Sequence, residues 1–254
     1  MIWGDRSYRD GVDLSRADFY RMLATEPTLP TTSQPTAAMF EAAFASALER
    51  ADHVLCIVVS SKVSGTINAA HGAATRFPAG SITVFDSESA AGGLGMHVLL
   101  ACDLVADGAD LETIVGALER ERVTQRLFAC LPDLAHLQRT GRIGKAQAVL
   151  GSLMKIVPVL CLKDGQVAAE AQVRTLARAR ETMLDLTIAN APDASLSRYI
   201  VMHTNAPDLA RDLLERLRAR LNGVAPMMLD VLEAGPVIAT HAGPGAVGIF
   251  SARN

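Results

Sequence analysis

The sequence predicts an α/β protein with two domains, the N-terminal one built on a mostly parallel sheet with flanking helices and the C-terminal one on a mixed or antiparallel sheet. Three observations support this prediction. Through about the first 130 residues, short apolar runs alternate with alanine- and leucine-rich stretches of helical pattern, as in βαβ units. An Asp-Gly pair at 164–165 separates two apolar runs, which is typical of an antiparallel hairpin. With 254 residues, 50% of them hydrophobic, the chain can bury one large core or two moderate ones.

The predicted N-terminal domain covers residues 1–144. Short, continuous apolar runs indicate buried strands at 54–60, 82–85 and 126–130. Helical periodicity predicts helices at 37–50, 67–75, 92–106 and 110–121.

The pattern changes after Gly144, so we place the start of the second domain, 145–254, at that point. Strands are predicted at 156–162, 166–171, 199–203, 227–232 and 247–251, and helices at 175–189 and 206–221. The two-residue turn at 164–165 implies that the first two of these strands pair locally and antiparallel.

Composition argues against several classes of partner. The formal net charge is −3 with acids and bases interspersed, so no basic face is available to bind a nucleic-acid backbone. The four cysteines lie far apart, with no C-x-x-C spacing and no cluster of His and Cys, so we expect neither a metal nor a cofactor. The charged N-terminus lacks the apolar core of a secretory signal, and no apolar run approaches the roughly 18 residues of a membrane span. We therefore expect a cytoplasmic protein without an integral membrane segment.

The segment 60–66, SSKVSGT, lies between a predicted strand and a predicted helix. Ligands of open α/β sheets bind at the carboxyl ends of strands, and a helix N-terminus offers unpaired N–H groups to an anion. The hydroxyls of Ser61, Ser64 and Thr66 converge there, and Gly65 permits close approach to the backbone. Ordinary N-capping by Ser64 or Ser61 is the simpler alternative. A nucleotide P-loop is not indicated, because Lys62 precedes the glycine instead of following it.

Two further segments contain candidate ligands. The hydroxyl run TTSQPT at 31–36 includes Thr32 and Ser33, although on its own it is typical of an ordinary helix start. The segment 241–248, HAGPGAVG, matches G-x-G-x-x-G literally but leaves no room for the helix and strand of a dinucleotide site. It is better explained as a glycine-rich turn that holds His241, whose imidazole can hydrogen-bond a carboxylate.

An enzyme is the main alternative to a binding protein. Ser64, His241 and Asp86 supply the residue types of a hydrolytic triad, and a lipid ester hydrolase or a phosphotransferase would use such groups. The G-x-S-x-G elbow of the α/β hydrolases is absent, which disfavours hydrolysis.

Several motifs together resemble the DegV family along the whole chain. In order, they are TSQP at 32–35, SSxxSGT at 60–66, DSxSxxGxxG at 86–95, GRI at 141–143, VR at 173–174 and HxGPG at 241–245. Each motif is weak alone, but their order and separations are specific to the family.

The resemblance implies a two-domain DegV-like fold that holds a long-chain fatty acid, with the head group in the N-terminal domain. In bacteria such proteins resemble the non-catalytic, lipid-carrying subunit of a fatty acid kinase, in which a separate ATP-dependent catalytic subunit phosphorylates the bound carboxylate for phospholipid synthesis. By motif position, the head-group contacts would be Thr32, Ser64 and His241, with four further residues beside them. Arg174 is a candidate either for holding the head group or for docking the kinase. The neighbours are Ser33, Ser61, Gly65 and Thr66.

One feature departs from the family pattern. Family members usually begin with an additional strand and an Asp-Ser turn before the segment that matches 8–11, and this chain starts after that strand. A sheet without this strand would expose an edge, so we expect either a misassigned start or another element that covers the edge.

Overall fold

The computed structural model of the chain describes residues 1–149, 156–190 and 193–253. The strands are β1 (Ile2–Trp3), β2 (Arg6–Ser7), β3 (Val54–Val58), β4 (Ile82–Asp86), β5 (Arg126–Cys130), β6 (Val157–Lys163), β7 (Gln166–Val173), β8 (Ser197–His203), β9 (Met228–Glu233) and β10 (Val247–Arg253). The α-helices are α1 (Arg16–Thr25), α2 (Ala37–Leu48), α3 (Thr66–Ala74), α4 (Ala91–Ala106), α5 (Leu111–Thr124), α6 (Ala135–Arg139), α7 (Leu176–Ala189), α8 (Pro207–Arg220) and α9 (Pro236–Ala242).

The chain divides into two compact units. Unit 1 contains Met1–Ser33, Thr124–Lys163 and Val167–Asn254, and unit 2 contains Gln34–Val123 and Asp164–Gln166. Both units combine helices and strands, so the predicted α/β class is confirmed.

Unit 2 contains the parallel pair β3–β4, in which Val54 lies opposite Ile82. The two strands are apolar on both faces, as expected for a parallel sheet covered by helices on each side. Val58 packs in one cluster with Phe44 of α2 and with residues of α3. Phe85 packs in a second cluster with residues of α4 and α5. Alternate strand residues therefore enter two separate cores.

Unit 1 contains a six-stranded mixed sheet in the order β7-β6-β5-β10-β8-β9. β10 pairs antiparallel with both β5 and β8, and β8 pairs parallel with β9. The main core of this unit lies between the sheet and the helices α7 and α8, where Met183, Leu213 and Ile249 are fully buried. A separate small core around Trp3 and Phe19 packs the N-terminal hairpin β1–β2 and α1.

The hairpin turn at 164–165 was predicted correctly. Asp164 and Gly165 both have positive φ, 52° and 73°, as a type I′ turn requires. β6 and β7 are neighbours in the sheet, and a two-residue connection makes them antiparallel.

The predicted boundary at residue 144 differs from the observed division. β5 was assigned by sequence to the N-terminal parallel sheet, but it pairs antiparallel with β10 and β6 in the mixed sheet of unit 1. Its apolar run carries no information about its partners, so the local pattern placed it in the wrong sheet. Unit 2 also includes the hairpin tip 164–166, whose strands belong to unit 1.

Within the described ranges, no helix is long and apolar enough to cross a membrane.

Candidate functional site

The hydroxyl loop, residues 60–66, connects β3 to α3 in unit 2. The hydroxyls of Ser64 and Thr66 are hydrogen-bonded at 2.8 Å, and the Ser64 hydroxyl also accepts the amide of Thr66 at 3.3 Å. Gly65 is the N-cap residue of α3, and it has no side chain with which to cap the helix. Ser64 thus satisfies one amide at this helix start, as the capping alternative requires in part, and of the predicted hydroxyls those of Ser64 and Thr66 contact each other.

Gly65 is needed for close packing and not for its backbone angles, since its φ is −78°. A Cβ at this position would lie 2.3 Å from Oε1 of Gln34. Gln34 therefore lies directly over the backbone of the loop. The close approach to the backbone that Gly65 permits is made here by Gln34, and the role of Gly65 beside a ligand stays a prediction.

Asp86 and Ser60 hold the first half of the hydroxyl loop. The Asp86 carboxylate accepts the amide of Ser61 at 3.2 Å and that of Glu88 at 3.0 Å. The buried Ser60 hydroxyl donates to the carbonyl of Gly165 at 2.8 Å. In these interactions Ser61 contributes its backbone amide, and its side chain is exposed.

A separate group of predicted residues lies in unit 1, around His241. This residue lies in the last turn of α9, and Gly243 ends the helix with a φ of 73°. Nε2 of His241 is hydrogen-bonded to the hydroxyl of Thr32 at 2.9 Å. The other ring nitrogen, Nδ1, is buried and has no hydrogen-bond partner in the part of the chain that the structure describes. The structure thus brings together Thr32 and His241, two of the predicted head-group residues.

Burial, together with the nearby charges of Arg142 and Arg139, lowers the pKa of His241 from 6.5 to about 4. The Arg139 guanidinium donates to the carbonyl of Pro30 at 3.0 Å. The Arg142 guanidinium donates to the carbonyl of Thr140 at 2.6 Å. We call the set of Thr32, His136, Arg139, Arg142 and His241 the imidazole site. It combines a neutral imidazole with cationic side chains, a combination that favours an anion.

Sequence reasoning missed Arg139, Arg142 and His136 as site residues. The GRI motif at 141–143 was available as a signal for Arg142, but nothing in the sequence placed it near α9. His136 is tied to α9 by its Nδ1, which is 3.2 Å from the carbonyl oxygen of Thr240.

Two other predicted residues have exposed side chains. Ser33 directly follows Thr32, and Arg174 lies between the end of β7 and Thr175, which caps α7. Their roles stay predictions. The described residues include no group of three or more His, Cys, Asp or Glu side chains arranged to hold a metal ion.

A family model described as "Uncharacterised protein, DegV family" matches residues 1–254. A DegV domain-containing protein of Deinococcus radiodurans is 36% identical over 249 residues, which cover 98% of this chain and 87% of that protein. A Thermus thermophilus DegV family protein, whose structure is described as fatty acid binding, has a TM-score of 0.91 at 37% identity and covers 97% of this chain and 87% of that one. DegV of Bacillus subtilis, described as a fatty acid binding protein, has a TM-score of 0.89 at 32% identity, with 100% and 89% of the two chains covered. This chain belongs to the DegV family.

Proposed function

We propose that this protein binds a long-chain fatty acid and presents its carboxylate to a separate ATP-dependent kinase, which forms the acyl phosphate. The single observation that carries the binding proposal is the imidazole site. There, a buried ring nitrogen without a hydrogen-bond partner among the described residues accompanies a neutral His241 and two arginines. The fatty-acid-binding description of the Thermus and Bacillus relatives supports the same ligand.

A carboxylate suits this chemistry. A neutral imidazole that accepts a hydrogen bond from Thr32 at Nε2 carries its proton on Nδ1, which then donates to an acceptor. Charge-assisted hydrogen bonds to a carboxylate are stronger than those between neutral groups, and nearby guanidinium groups offset part of the desolvation penalty of the anion. In the proposed arrangement the Thr32 hydroxyl donates to Nε2, and Nδ1 of His241 donates to the head group.

The acyl chain supplies most of the affinity in this proposal. Burying about 15 methylenes at about 0.8 kcal/mol each releases about 12 kcal/mol before the costs of association. Tight binding therefore requires little from the head group, whose contacts orient the lipid. Ser64, with Ser61, Gly65 and Thr66 as neighbours, is the proposed hydroxyl ligand in unit 2.

The binding proposal is tested with His241→Gln and Thr32→Val. We expect each variant to bind added fatty acid about fivefold more weakly than the wild type, because about 1 kcal/mol is lost with one such hydrogen bond. The matched controls are His53→Gln and Thr83→Val, since Nε2 of His53 and the Thr83 hydroxyl form an equivalent pair at 3.0 Å in unit 2. Equal lipid loss in the control variants would show that any His–Thr pair has this effect and would remove the imidazole site from the proposal.

We also propose that the protein is cytoplasmic. The kinase step is tested with purified components. The purified protein loaded with a fatty acid should form no acyl phosphate when ATP is added alone, and should form it when a bacterial fatty acid kinase catalytic subunit is also present. If the isolated protein forms acyl phosphate from ATP, or hydrolyses an ester, it is instead an enzyme. Arg174→Ala should reduce the kinase-dependent rate without reducing the bound lipid if Arg174 docks the kinase.

A further inference from the structure

Three turns of unit 2 meet at the buried residue Ser60. They are the hydroxyl loop 60–66, the turn 86–90 after β4, and the hairpin tip 164–166. Ser60 is fully buried, donates its hydroxyl to the carbonyl of Gly165, and accepts the amide of Lys62 at 3.2 Å. Its own amide donates to the carbonyl of Ser89 at 2.8 Å. One residue at the start of the hydroxyl loop therefore bonds to both other turns.

The hairpin tip is packed so closely against the loop that it excludes a side chain at Gly165. A Cβ on Gly165 would lie 2.4 Å from Oγ of Ser60, 3.2 Å from Cγ of Lys62 and 3.5 Å from Cβ of Glu88. Its positive φ of 73° already favours glycine. Glycine is thus required here both by the turn and by its contact with Ser60.

The turn after β4 shows that this arrangement is maintained against local backbone preference. Glu88 and Ala91 have φ values of 48° and 49°, in the left-handed region that non-glycine residues rarely occupy. Such conformations persist where the surrounding contacts fix them, and they concentrate at functional sites. Asp86 provides two of those contacts, to the amides of Ser61 and Glu88. The hydroxyl loop and this turn are therefore fixed to each other by hydrogen bonds.

We propose that the hairpin tip is a positioning element for head-group binding. Through Ser60 and its bond to Gly165, the tip fixes the start of the hydroxyl loop and hence the direction of the Ser64 hydroxyl, without touching the ligand itself. The inference rests on the proposed role of Ser64 in fatty-acid binding. It assigns a function to residues 164–166, which come from a segment distant in sequence from the loop that they position.

The test uses Gly165→Ala, Ser60→Ala and the double variant, with Gly80→Ala as the matched control. Gly80 also belongs to unit 2 and has a φ of 85°, but a Cβ there would meet no atom within 4 Å. Both glycine variants carry the backbone strain of a positive φ, and Gly165→Ala adds the clash with Ser60, so its melting temperature should fall further than that of Gly80→Ala. Only Gly165→Ala should weaken fatty-acid affinity of the folded protein, by about tenfold, as expected for the loss of one buried hydrogen bond and displacement of the loop.

The double variant separates positioning from general damage. Replacing Ser60 by Ala removes the Oγ with which a Cβ at Gly165 would clash, and the next nearest atoms lie at 3.2 and 3.5 Å. We expect the double variant to bind no more weakly than Ser60→Ala alone, so that the two effects are not additive. Independent, additive losses in the double variant would overturn the inference.

Amide hydrogen exchange distinguishes failure of this inference from failure of the proposed function. In Gly165→Ala, exchange at 61–66 should accelerate relative to both the wild type and Gly80→Ala. If the wild type binds no fatty acid, the proposed function fails, and the exchange comparison still shows whether the tip fixes the loop. Unchanged exchange and unchanged affinity in both Gly165→Ala and Ser60→Ala would contradict the positioning role.

Discussion

His241 is a partly buried imidazole whose neighbours oppose its protonation. With a pKa of about 4, the ring is neutral at pH 7, and a neutral ring can accept at one nitrogen and donate from the other. Thr32 is bonded to one nitrogen, and the second is available for an anionic oxygen. In a protonated His241 both ring nitrogens would be donors, so the Thr32 hydroxyl could no longer donate to the ring. A neutral His241 can therefore accept from Thr32 at one nitrogen and donate to the proposed ligand from the other.

The lowered pKa of His241 has a consequence for stability. The unfolded chain has the ordinary value of 6.5, so as the pH falls from 6.5 to about 4 the unfolded state takes up a proton before the folded state does. The free energy of unfolding should decrease over this interval by about 2 kcal/mol, after allowance for the partial exposure of the ring. Urea unfolding of the lipid-free protein at pH 7 and pH 4.5 should show a smaller decrease for His241→Gln than for the wild type. Equal decreases would mean that His241 titrates normally in the folded protein.

At the scale of elements, predictions from periodicity were most accurate where the apolar pattern is long or strongly punctuated. Predicted strand 126–130 coincides with β5, and predicted helix 92–106 differs from α4 by one residue. The sequence analysis identified neither α1 nor α9. Gly235 and Gly243 flank α9, and its seven residues span only two turns, too few for a periodic pattern to stand out.

α9 starts at a position that a distant side chain stabilises. The Asp10 carboxylate accepts the amide of Val237 at 3.2 Å, and a Cβ on Gly235 would lie 3.0 Å from Oδ2 of Asp10. Asp10 thus acts as an N-terminal cap for the helix that carries His241.

Asp10→Ala should lower the free energy of unfolding by about 1 kcal/mol, the usual cost of losing such a cap. Asp5→Ala is the control, because Asp5 is an exposed acid of the same N-terminal segment. Urea unfolding at pH 7 measures both variants. A loss no greater for Asp10→Ala than for Asp5→Ala would show that the contact does not stabilise α9.

At the scale of the whole molecule, the two units explain why the predicted boundary and the observed one differ. Unit 2 is a continuous segment, 34–123, plus the hairpin tip, whereas unit 1 collects three separate segments. Strand pairing between distant segments, such as β5 with β10, depends on packing that no local window contains. A sequence-based boundary drawn at a change of pattern could not anticipate this arrangement.

The candidate site was predictable to the extent that family motifs marked its residues. The contact between Thr32 and His241 joins residues 209 positions apart, and only the resemblance associated them beforehand. The cationic side chains of Arg139 and Arg142 were missed, because their importance follows from the position of α6 beside α9. Motif resemblance therefore marked the candidate ligands, and the structure added the charged side chains beside His241.

The most direct test of fatty-acid binding is denaturing mass spectrometry of organic extracts from the purified protein, quantified against protein concentration. We predict a long-chain fatty acid at close to one molecule per chain in the wild type. The extract of His241→Gln should contain clearly less, and that of His53→Gln the same amount as the wild type. An extract without fatty acid, from protein that is folded and also fails to bind added long-chain acids, would contradict the proposed function.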